Sequence, residues 1–251
     1  MPMTTPQLVT VRCLTDNYAY LVHAGGKTVL FDAPEAAPIL AALKERGWTL
    51  DVIALTHHHD DHIQAVAEIV AATGAEVVGA AADTHRLPKL DRTVAPGDRI
   101  ELAGLEAQVI DAGGHTRGHI AYYLPQAQMV ATGDSLMALG CGRLFEGDAP
   151  MMWASLQRLA ALPPQTLVCS GHDYCAGNGA FALSVDADNS ALRTRIDAVA
   201  AGQKPCAPQS LAVELATNPF LRAAALAPSL GLEGHPEVDA FARLRSMKDR
   251  S

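Results

Sequence analysis

Apolar and polar positions alternate along the first part of the chain, and short wholly apolar runs follow. Tyr18, Tyr20 and Val22 keep the period of two that is typical of β-strands. Gly25-Gly26 then predicts the turn of a hairpin before the next strand. The segment 51–55 is apolar after its first residue and has the length of a buried strand. This pattern predicts a sheet near the start of the chain.

Apolar residues at helical spacing appear between the strands. The spacing predicts one helix over 36–46 that ends at Gly47 and another over 63–74 that ends at Gly74. Beyond residue 173 alanine and leucine rise and strand signals vanish, so residues 1–173 are predicted to form an α/β domain and 174–251 a helical one. Strands are predicted within 8–32 and at 51–55, 76–79, 99–111, 119–124, 127–132 and 166–169. Helices are predicted at 36–46, 63–74, 80–87, 150–162, 176–184, 188–201, 210–216 and 236–248.

Composition and charge exclude several classes of protein. The 251 residues are 49% hydrophobic and 18% charged, which is the composition of a folded chain. No apolar run approaches the ~20 residues of a membrane span, so no membrane partner is expected. The first ten residues lack the basic and apolar regions of a secretory signal. A net charge of −8 argues against nucleic acid as a partner.

The cysteines favour a reducing compartment. There are five, an odd number, widely spaced and without a C-x-x-C pair. We therefore expect no disulfide framework, mostly buried thiols and a cytoplasmic protein. No long apolar helix face is left uncovered in this prediction, which favours a monomer.

The segment Thr56–His62 carries the sequence's densest set of metal-ligand side chains. It contains His57, His59, Asp61 and His62 in the pattern H-x-H-x-D-H, between an apolar strand and an amphipathic helix. A loop at a strand's end lets the first two histidines project together. A carboxylate in the first turn of the next helix is favoured by the free backbone N–H groups there. Adjacent helical residues point about 100° apart, so Asp61 and His62 need not serve the same ion.

Three later residues extend this set. His115 lies in a glycine-rich segment, and Asp134 and His172 each follow a predicted strand. Sites in layered α/β folds gather on the loops at strand ends. Together the seven nitrogen and oxygen ligands suffice for two metal ions that share one carboxylate. Such mixed ligands suit zinc, iron and manganese alike.

Several sequence motifs resemble those of the metallo-β-lactamase superfamily and, within it, of the glyoxalase II family, the hydroxyacylglutathione hydrolases. The resemblance covers nearly the whole chain. The pattern H-x-H-x-D-H marks only the superfamily, whereas the motifs at 140–143 and 216–220 are more specific. The motifs are Asp16-Asn17-Tyr18, T-H-H-H-x-D-H at 56–62, G-H-T-x-G-H at 114–119, T-G-D at 132–134, G-C-G-R at 140–143, G-H-D-Y at 171–174 and A-T-N-P-F at 216–220.

The resemblance implies a fold, two metal ions and a reaction. The fold would be a four-layer αββα sandwich with a C-terminal helical domain. His57, His59 and His115 would hold the first ion, Asp61, His62 and His172 the second, and Asp134 would bridge the two. His58 and His119 match histidines that are not ligands. Zinc is favoured, with iron or manganese as alternatives.

The implied reaction is hydrolysis of S-2-hydroxyacylglutathione, typically S-D-lactoylglutathione, to glutathione and a 2-hydroxy acid, as in methylglyoxal detoxification. A hydroxide held by the metals, with Asp61 and Asp134 as catalytic ligands, would attack the thioester carbonyl. No G-x-S-x-G motif is present, and a metal-binding His172 could not also serve Cys169 as a base.

The same resemblance implies a glutathione site. Arg245 and Lys248 match an R-x-x-K pair that grips the glycine carboxylate, while Arg143 and Tyr174 match further contacts. Phe145 departs from the family because it replaces a tyrosine, which removes a hydrogen bond of ~1 kcal/mol. Ile63-Gln64 departs as well, where the family has small residues. On charge alone, the basic C-terminus also fits a solvated helix end.

Other functions remain as alternatives at this stage. A mononuclear iron persulfide dioxygenase keeps most of the same ligands, although the helical C-terminal region argues against it. A lactonase or a β-lactamase is less favoured, because neither enzyme would need a basic site for glutathione. A metal-binding protein without activity is the non-enzymatic alternative. Sites that have lost their activity usually also lose metal ligands, whereas this chain retains all of the expected ones.

Overall fold

Two units divide the chain in the computed structural model, which describes residues 5–251. The N-terminal unit comprises 5–111 and 118–133, and the C-terminal unit comprises 112–117 and 134–251. The prediction that no secretory signal is present concerned the first ten residues, and residues 1–4 lie outside the described part of the chain. The functional division after residue 173 stays a prediction.

The N-terminal unit holds most of the strands. Its helices are α1 (Ala36–Arg46), α2 (Asp60–Ile63) and α3 (Val66–Thr73). Its strands are β1 (Gln7–Cys13), β2 (Asn17–Ala24), β3 (Lys27–Phe31), β4 (Val52–Ala54), β5 (Glu76–Ala80), β6 (Arg92–Val94), β7 (Arg99–Leu102), β8 (Leu105–Asp111), β9 (Ile120–Leu124) and β10 (Met129–Gly133).

The first sheet of this unit runs β1 to β6 in sequence order. Strands β1 to β3 are antiparallel, and the pairs β3–β4, β4–β5 and β5–β6 are parallel. Phe31 pairs with Ala54, so the residues that follow β3 and β4 emerge side by side at one edge. The parallel pairing of β3 with β4, which are connected through α1, accounts for this common edge. It carries the histidine-rich segment.

Strands β7 to β10 form an antiparallel meander that faces the first sheet. All five residues of β9 are buried. The rings of Phe31 and Tyr122 meet with their centres 5.7 Å apart, and the Tyr122 hydroxyl donates a hydrogen bond to the Leu55 carbonyl oxygen over 3.1 Å. These contacts form the core beneath the histidine-rich segment.

The C-terminal unit is largely helical. Its strands are β11 (Leu136–Met137), β12 (Gly140–Cys141), β13 (Leu167–Ser170) and β14 (Gln209–Ser210). Its helices are α4 (Ala149–Ala160), α5 (Cys175–Val185), α6 (Ser190–Ala200), α7 (Leu211–Thr217), α8 (Ala223–Leu226) and α9 (Glu237–Lys248). Phe220 joins the core of this unit, with its ring centre 5.9 Å from that of Phe181 and 5.9 Å from that of Phe241.

The helices hold the β11–β12 hairpin through polar side chains. The Asn218 side-chain amide donates to the carbonyl oxygens of Met137 (3.0 Å) and Gly140 (2.9 Å). Asn178 donates to the Ala138 carbonyl oxygen at the hairpin's tip over 3.0 Å. Asn218 belongs to the A-T-N-P-F motif, so that motif anchors the segment that leads to Arg143.

The predicted helices and the first hairpin are largely confirmed. Helix α1 has the predicted bounds, and Gly47 ends it in the left-handed region at φ 66°. Residues Ala24 and Lys27 pair across the predicted Gly25-Gly26 turn. Asp148 caps the N-terminus of helix α4, where its side chain accepts the Met151 N–H.

Other predictions of local structure were wrong. Segment 99–111 is two strands, because Ala103 (φ 50°) and Gly104 (φ 82°) turn the chain between them. Segment 80–87 forms only a 3₁₀ turn at Ala81–Asp83. Strands β6, β11, β12 and β14 and helix α8 were missed, since each is four residues or fewer and too short to show a period.

The expectation about the cysteines was partly wrong. Cys175 and Cys206 form a disulfide with their Cα atoms 5.8 Å apart. It ties the first turn of α5 to the segment before β14. Cys13, Cys141 and Cys169 are buried thiols, as expected. Within the described residues, no helix has both the length and the apolar character needed to cross a membrane.

Candidate metal centre

Four of the predicted ligands lie in the N-terminal unit, after the carboxyl end of β4. His57 and His62 are fully buried, while His59 and Asp61 are half-buried. His57 Nε2 lies 3.2 Å from His59 Nδ1, and His62 Nε2 lies 3.9 Å from Asp61 Oδ2. The loop and the first turn of α2 thus bring these four candidate ligands close together.

Asp32 orients two of these histidines. It follows β3 in the left-handed region (φ 58°) and is 3% exposed. Its carboxylate accepts the backbone N–H and the hydroxyl of Thr56, each over 2.8 Å, and lies 2.8 Å from His62 Nδ1. Asp32, His57 and His62 could by themselves hold a metal ion. Asp32 is better placed as an orienting group, because both of its oxygens are already bonded.

These hydrogen bonds fix which ring nitrogens carry protons. Thr56 gives its only hydroxyl proton to Asp32, so at 3.0 Å it accepts one from His57 Nδ1. His62 Nδ1 likewise donates to the Asp32 carboxylate. In the neutral imidazoles, Nε2 of His57 and of His62 therefore keeps its lone pair. This is the form that binds a cation, and the arrangement matches the usual orientation of metal-binding histidines by carboxylates.

Asp61 is held by Asn17, the middle residue of the Asp16-Asn17-Tyr18 motif. The buried Asn17 amide lies 3.0 Å from the Asp61 carbonyl oxygen and 3.0 Å from its carboxylate Oδ2. These contacts fix the turn of α2 on which Asp61 lies. The role of Asn17 was not predicted, although its motif was recognised.

The two histidines that were not predicted to be ligands support the loop. His58 Nδ1 lies 3.3 Å from the buried carboxylate of Asp83, which also pairs with Arg86 at 2.6 Å. The His119 ring stacks on that of His57, with centres 4.6 Å apart and planes 17° apart. Gly133 leaves room for His119, because a Cβ there would lie 2.9 Å from its Nε2.

The other three predicted ligands lie together in the C-terminal unit. His115, Asp134 and His172 are each at most 5% exposed. Asp134 Oδ2 lies 3.4 Å from His115 Nε2 and 3.3 Å from His172 Nε2. The predicted bridging carboxylate thus has an imidazole nitrogen on two sides.

The donor chemistry of this cluster fits a cation. His115 Nδ1 lies 2.8 Å from the Arg143 carbonyl oxygen, which can only accept, so Nδ1 carries the proton. In the neutral ring, the Nε2 lone pair then faces the Asp134 carboxylate with no proton between them. A divalent ion satisfies such facing acceptors, and histidine nitrogen with carboxylate oxygen suits zinc, iron or manganese.

Gly142 allows this arrangement because it has no side chain. A Cβ there would overlap the Asp134 carbonyl oxygen and would lie 2.8 Å from His115 Nδ1. The backbone can pass this close to two ligands only at a glycine. Gly142 belongs to the G-C-G-R motif.

Two of the predicted substrate residues line a cavity of about 370 Å³ in the same unit. Tyr174 is 42% exposed, and its ring stacks on His172 with centres 4.7 Å apart. Lys248 Nζ donates to the Gly177 carbonyl oxygen over 3.1 Å. Partial burial, with a smaller contribution from Arg245, lowers the pKa of Lys248. The cavity is lined by Asp173, Tyr174, Ala176, Gly177, Asn178 and Lys248.

The other three predicted substrate residues differ in exposure. Phe145 is 61% exposed, with its ring edge-on to His115 at 5.2 Å. The Arg143 side chain is 59% exposed, and its Nε lies 3.5 Å from Asp249. Arg245 is only 6% exposed. Its guanidinium donates to the Cys141 carbonyl oxygen and to Asp249, each over 2.9 Å.

Comparison with known proteins identifies the family. The profile described as the metallo-beta-lactamase superfamily matches residues 14–172, and the one described as the hydroxyacylglutathione hydrolase C-terminus matches 173–251. A hydroxyacylglutathione hydrolase of Jannaschia sp. is 55% identical over 98% of this chain and 99% of its own length. One from Fuscovulum blasticum is 56% identical over 96% and 98%.

The chain belongs to the hydroxyacylglutathione hydrolase family. Two solved structures share its fold. ETHE1 from Myxococcus xanthus has a TM-score of 0.68 and 26% identity over 96% of this chain and 90% of that one. TTHA1623 in a di-iron-bound form has a TM-score of 0.64 and 29% identity over 86% of this chain and 100% of that one. The predicted α/β metallo-β-lactamase fold with a helical C-terminal region is confirmed.

The motifs shared with the hydroxyacylglutathione hydrolases identified the candidate ligands, but they did not include Asp32. A single aspartate in Asp32-Ala33-Pro34 resembles an ordinary strand end. Its place beside Thr56 depends on β3 and β4 being parallel neighbours. That pairing was the one signal from which its role could have been inferred.

Proposed function

We propose that this hydroxyacylglutathione hydrolase homologue cleaves the thioester of S-2-hydroxyacylglutathione, S-D-lactoylglutathione being the typical substrate. The products are glutathione and a 2-hydroxy acid, D-lactate in the typical case, as in the detoxification of methylglyoxal. One observation carries the proposal: the Asp134 carboxylate lies within 3.4 Å of two imidazole nitrogens, and Tyr174, stacked on one of those rings, lines the neighbouring cavity. The candidate metal ligands and the cavity that we assign to the substrate are thus adjacent within one unit.

Seven side chains would hold two divalent ions per chain. His57, His59 and His115 would bind one ion, Asp61, His62 and His172 the other, and Asp134 both. The di-iron form of TTHA1623 supports a two-metal site. Zinc is our first choice, and the ligand set also accepts iron or manganese. When bound, the ions would supply a hydroxide at neutral pH and polarise the thioester carbonyl.

The chain's own residues would prepare this chemistry by fixing protons and rotamers. Asp32 and Thr56 hold protons on the Nδ1 atoms of His62 and His57, and the Arg143 carbonyl does so for His115. The lone pair of each Nε2 is then available before a metal ion binds. Burial of these rings removes competing water, which strengthens electrostatic interactions within the site.

Glutathione would lie in the groove of Tyr174 and Lys248. The Lys248 ammonium would pair with the glycine carboxylate, and the exposed Arg143 with the second carboxylate or the peptide. Phe145 would contact the substrate through its ring alone. The family resemblance also assigns Arg245 to the glycine carboxylate.

We further propose that the protein acts in the cytoplasm as a monomer. Small-molecule thioesters are its expected partners, without nucleic acid or membrane. Gel filtration with light scattering tests the monomer, with a mass of about 26 kDa expected.

Thiol release from S-D-lactoylglutathione tests the proposed activity. The metal-loaded protein should release glutathione, which a chromogenic disulfide reagent detects. The His59→Ala substitution should reduce the rate of release at least 100-fold. Thiol release no faster than that of the variant would refute the proposal. Oxygen uptake with glutathione persulfide and hydrolysis of a lactone are the matched assays for the two alternative enzymes. Activity in either of those assays alone would assign the site differently.

A further inference from the structure

Two cysteines and an aspartate of the C-terminal unit form a further cluster of metal-ligand side chains, none of which is among the seven candidate ligands. The Sγ atoms of Cys175 and Cys206 and a carboxylate oxygen of Asp173 all lie within 4.8 Å of one another. The two cysteines are 7% and 3% exposed, and Asp173 is half-buried. Around a tetrahedral zinc ion, two sulfur ligands and one oxygen ligand lie about 3.6–3.8 Å apart. The three side chains are therefore close enough to share one ion once the sulfur atoms are released from each other.

The bond between Cys175 and Cys206 decides whether their sulfur atoms can bind a metal ion. In the disulfide the sulfur atoms are bonded to each other, whereas the metal-binding form of cysteine is the thiolate. Two molecules of a thiol such as glutathione supply two electrons and two protons. The S–S bond then breaks to give two thiols, and the reductant leaves as its own disulfide. A divalent ion that binds the pair displaces the two thiol protons.

The surroundings of Cys175 make the bond a target for a small thiol. Cys175 is the most exposed of the five cysteines, and it lines a cavity of about 120 Å³. Ala176 lines this cavity and also the larger one beside Tyr174 and Lys248. In a reducing compartment, a cysteine pair is more often a metal or redox site than a permanent cross-link. The position of the pair therefore suits a bond that is made and broken.

The ligand chemistry selects a soft divalent cation. Two thiolates and a carboxylate place three negative charges in a largely buried region, and a cation offsets the cost of burying them. Thiolate sulfur favours zinc over magnesium or calcium. Three protein ligands leave the fourth tetrahedral position to water. The seven ligands of the candidate metal centre are all nitrogen and oxygen, so sulfur ligation distinguishes an ion in the cysteine cluster from an ion there.

We propose that reduced Cys175 and Cys206 bind a zinc ion together with Asp173, in a site that a thiol reductant opens and disulfide formation closes. The disulfide and the metal ion are then alternative links between the start of α5 and the segment before β14. Helix α5 carries Ala176, Gly177 and Asn178 of the larger cavity, so either link holds that wall in place. The proposal goes beyond the proposed hydrolysis and does not depend on it.

Cobalt(II) uptake tests this site. The full-length protein, loaded with zinc, is incubated with excess glutathione, separated from it by gel filtration without oxygen and titrated with cobalt. We expect one further equivalent of cobalt per chain to bind, with the near-ultraviolet charge-transfer band that cobalt–thiolate bonds give and nitrogen or oxygen ligands do not. Protein that has not been reduced should show no such band.

Substitutions assign the band to the cluster. The Cys175→Ser and Cys206→Ser double variant should lose the band. Cys13→Ser is the matched control, because it removes a buried thiol outside the cluster and should keep the band. Asp173→Asn removes the charged oxygen ligand, so it should keep the band but weaken cobalt binding by about tenfold or more.

Four results would overturn the proposal. They are a disulfide that survives the glutathione treatment, reduced wild-type protein without the band, a band that persists in the double variant, and unchanged cobalt affinity in Asp173→Asn. The comparison of reduced and unreduced wild-type protein needs no substitution, so it decides the matter even if the double variant does not fold.

Failure of the proposed function looks different in these assays. His59→Ala, which removes a ligand of the candidate metal centre, should lose thiol release from S-D-lactoylglutathione and still show the charge-transfer band after reduction. Wild-type protein that shows the band but releases no glutathione from the thioester contradicts the proposed hydrolysis alone. Wild-type protein that hydrolyses the thioester but never shows the band contradicts the cysteine site alone.

Discussion

The two units orient their candidate metal ligands by different means. In the N-terminal unit, side chains set the protons of the imidazoles, since Asp32 and Thr56 bond to His62 and His57. In the C-terminal unit a backbone carbonyl, that of Arg143, does this for His115. A carboxylate can be replaced by mutation, whereas a carbonyl can only be moved. The first arrangement is therefore sensitive to one substitution, and the second to whatever shifts the backbone.

The largest effect is expected from Asp32→Asn, which breaks the side-chain arrangement. An amide keeps one acceptor oxygen and presents NH₂ to groups that donate to Asp32, so the proton positions on His57 and His62 are no longer fixed. We expect activity to fall by about 100-fold, with metal content reduced when measured by elemental analysis.

Asp51→Asn is the matched control for that substitution. Asp51 lies directly before β4 and, like Asp32, accepts a backbone N–H, that of Thr28, over 2.8 Å. It should keep full metal content. Equal loss of metal in both variants would mean that Asp32 acts through general stability.

Gly142→Ala breaks the backbone arrangement in the C-terminal unit. The added methyl group overlaps the Asp134 carbonyl and crowds His115, so the segment must shift. We expect a 10- to 100-fold loss of activity and faster metal release, measured with a chelator. Gly177→Ala is the control, because its Cβ would meet only Lys248 Nζ at 3.9 Å. Wild-type metal release in Gly142→Ala would contradict the role given to the Arg143 carbonyl.

Removal of the disulfide tests whether the segment after His172 needs covalent support. Cys175 and Cys206 are 31 residues apart, so their bond stabilises the folded chain by about 3.7 kcal/mol in the chain-entropy account. Reduction, or a Cys175→Ser and Cys206→Ser double variant, should lower Tm by several degrees in a calorimetric scan. Unchanged melting of the double variant would contradict a stabilising bond.

Alkylation of the three cysteines outside the disulfide provides the control for that experiment. Burial raises the pKa of Cys13 to about 12 and of Cys141 to about 11. Burial raises the pKa of Cys169 as well. These thiols should stay unreactive toward iodoacetamide at neutral pH, since the thiolate is the nucleophile. Rapid alkylation of the native protein would contradict their burial.

The smallest effect concerns Lys248, which we propose to contact the substrate rather than a metal ion. Its pKa is lowered chiefly by burial, so it loses its proton at a pH below the usual 10.5. The ammonium binds a carboxylate only while protonated, so KM should rise several-fold as pH increases through that lowered pKa, while kcat changes little. Lys248→Arg stays protonated and should remove the alkaline rise. A rise that persists in Lys248→Arg would assign it to another group.

Local pattern was sufficient to predict the elements that carry their own signals. Helix α1 ends at a glycine with positive φ, and the histidine-rich segment has ligand types at fixed offsets, so both were predicted from sequence. Asp32 could not be, because its partner Thr56 lies 24 residues away and meets it only through parallel strand pairing.

Burial and covalent pairing were the other properties that sequence could not reveal. Arginine is usually exposed, yet tertiary packing against Phe220 and Cys141 buries Arg245. Five cysteines leave many pairings open, and composition favoured none. The disulfide between Cys175 and Cys206 depends on helix packing in the C-terminal unit, where α5 and α6 are neighbours.

The most direct test of the central proposal is an activity titration of metal-free protein with zinc. Thiol release from S-D-lactoylglutathione should be negligible without metal and should rise with added zinc up to two equivalents per chain. Full activity in the presence of a strong chelator would contradict the account, and so would a titration that ends at one equivalent.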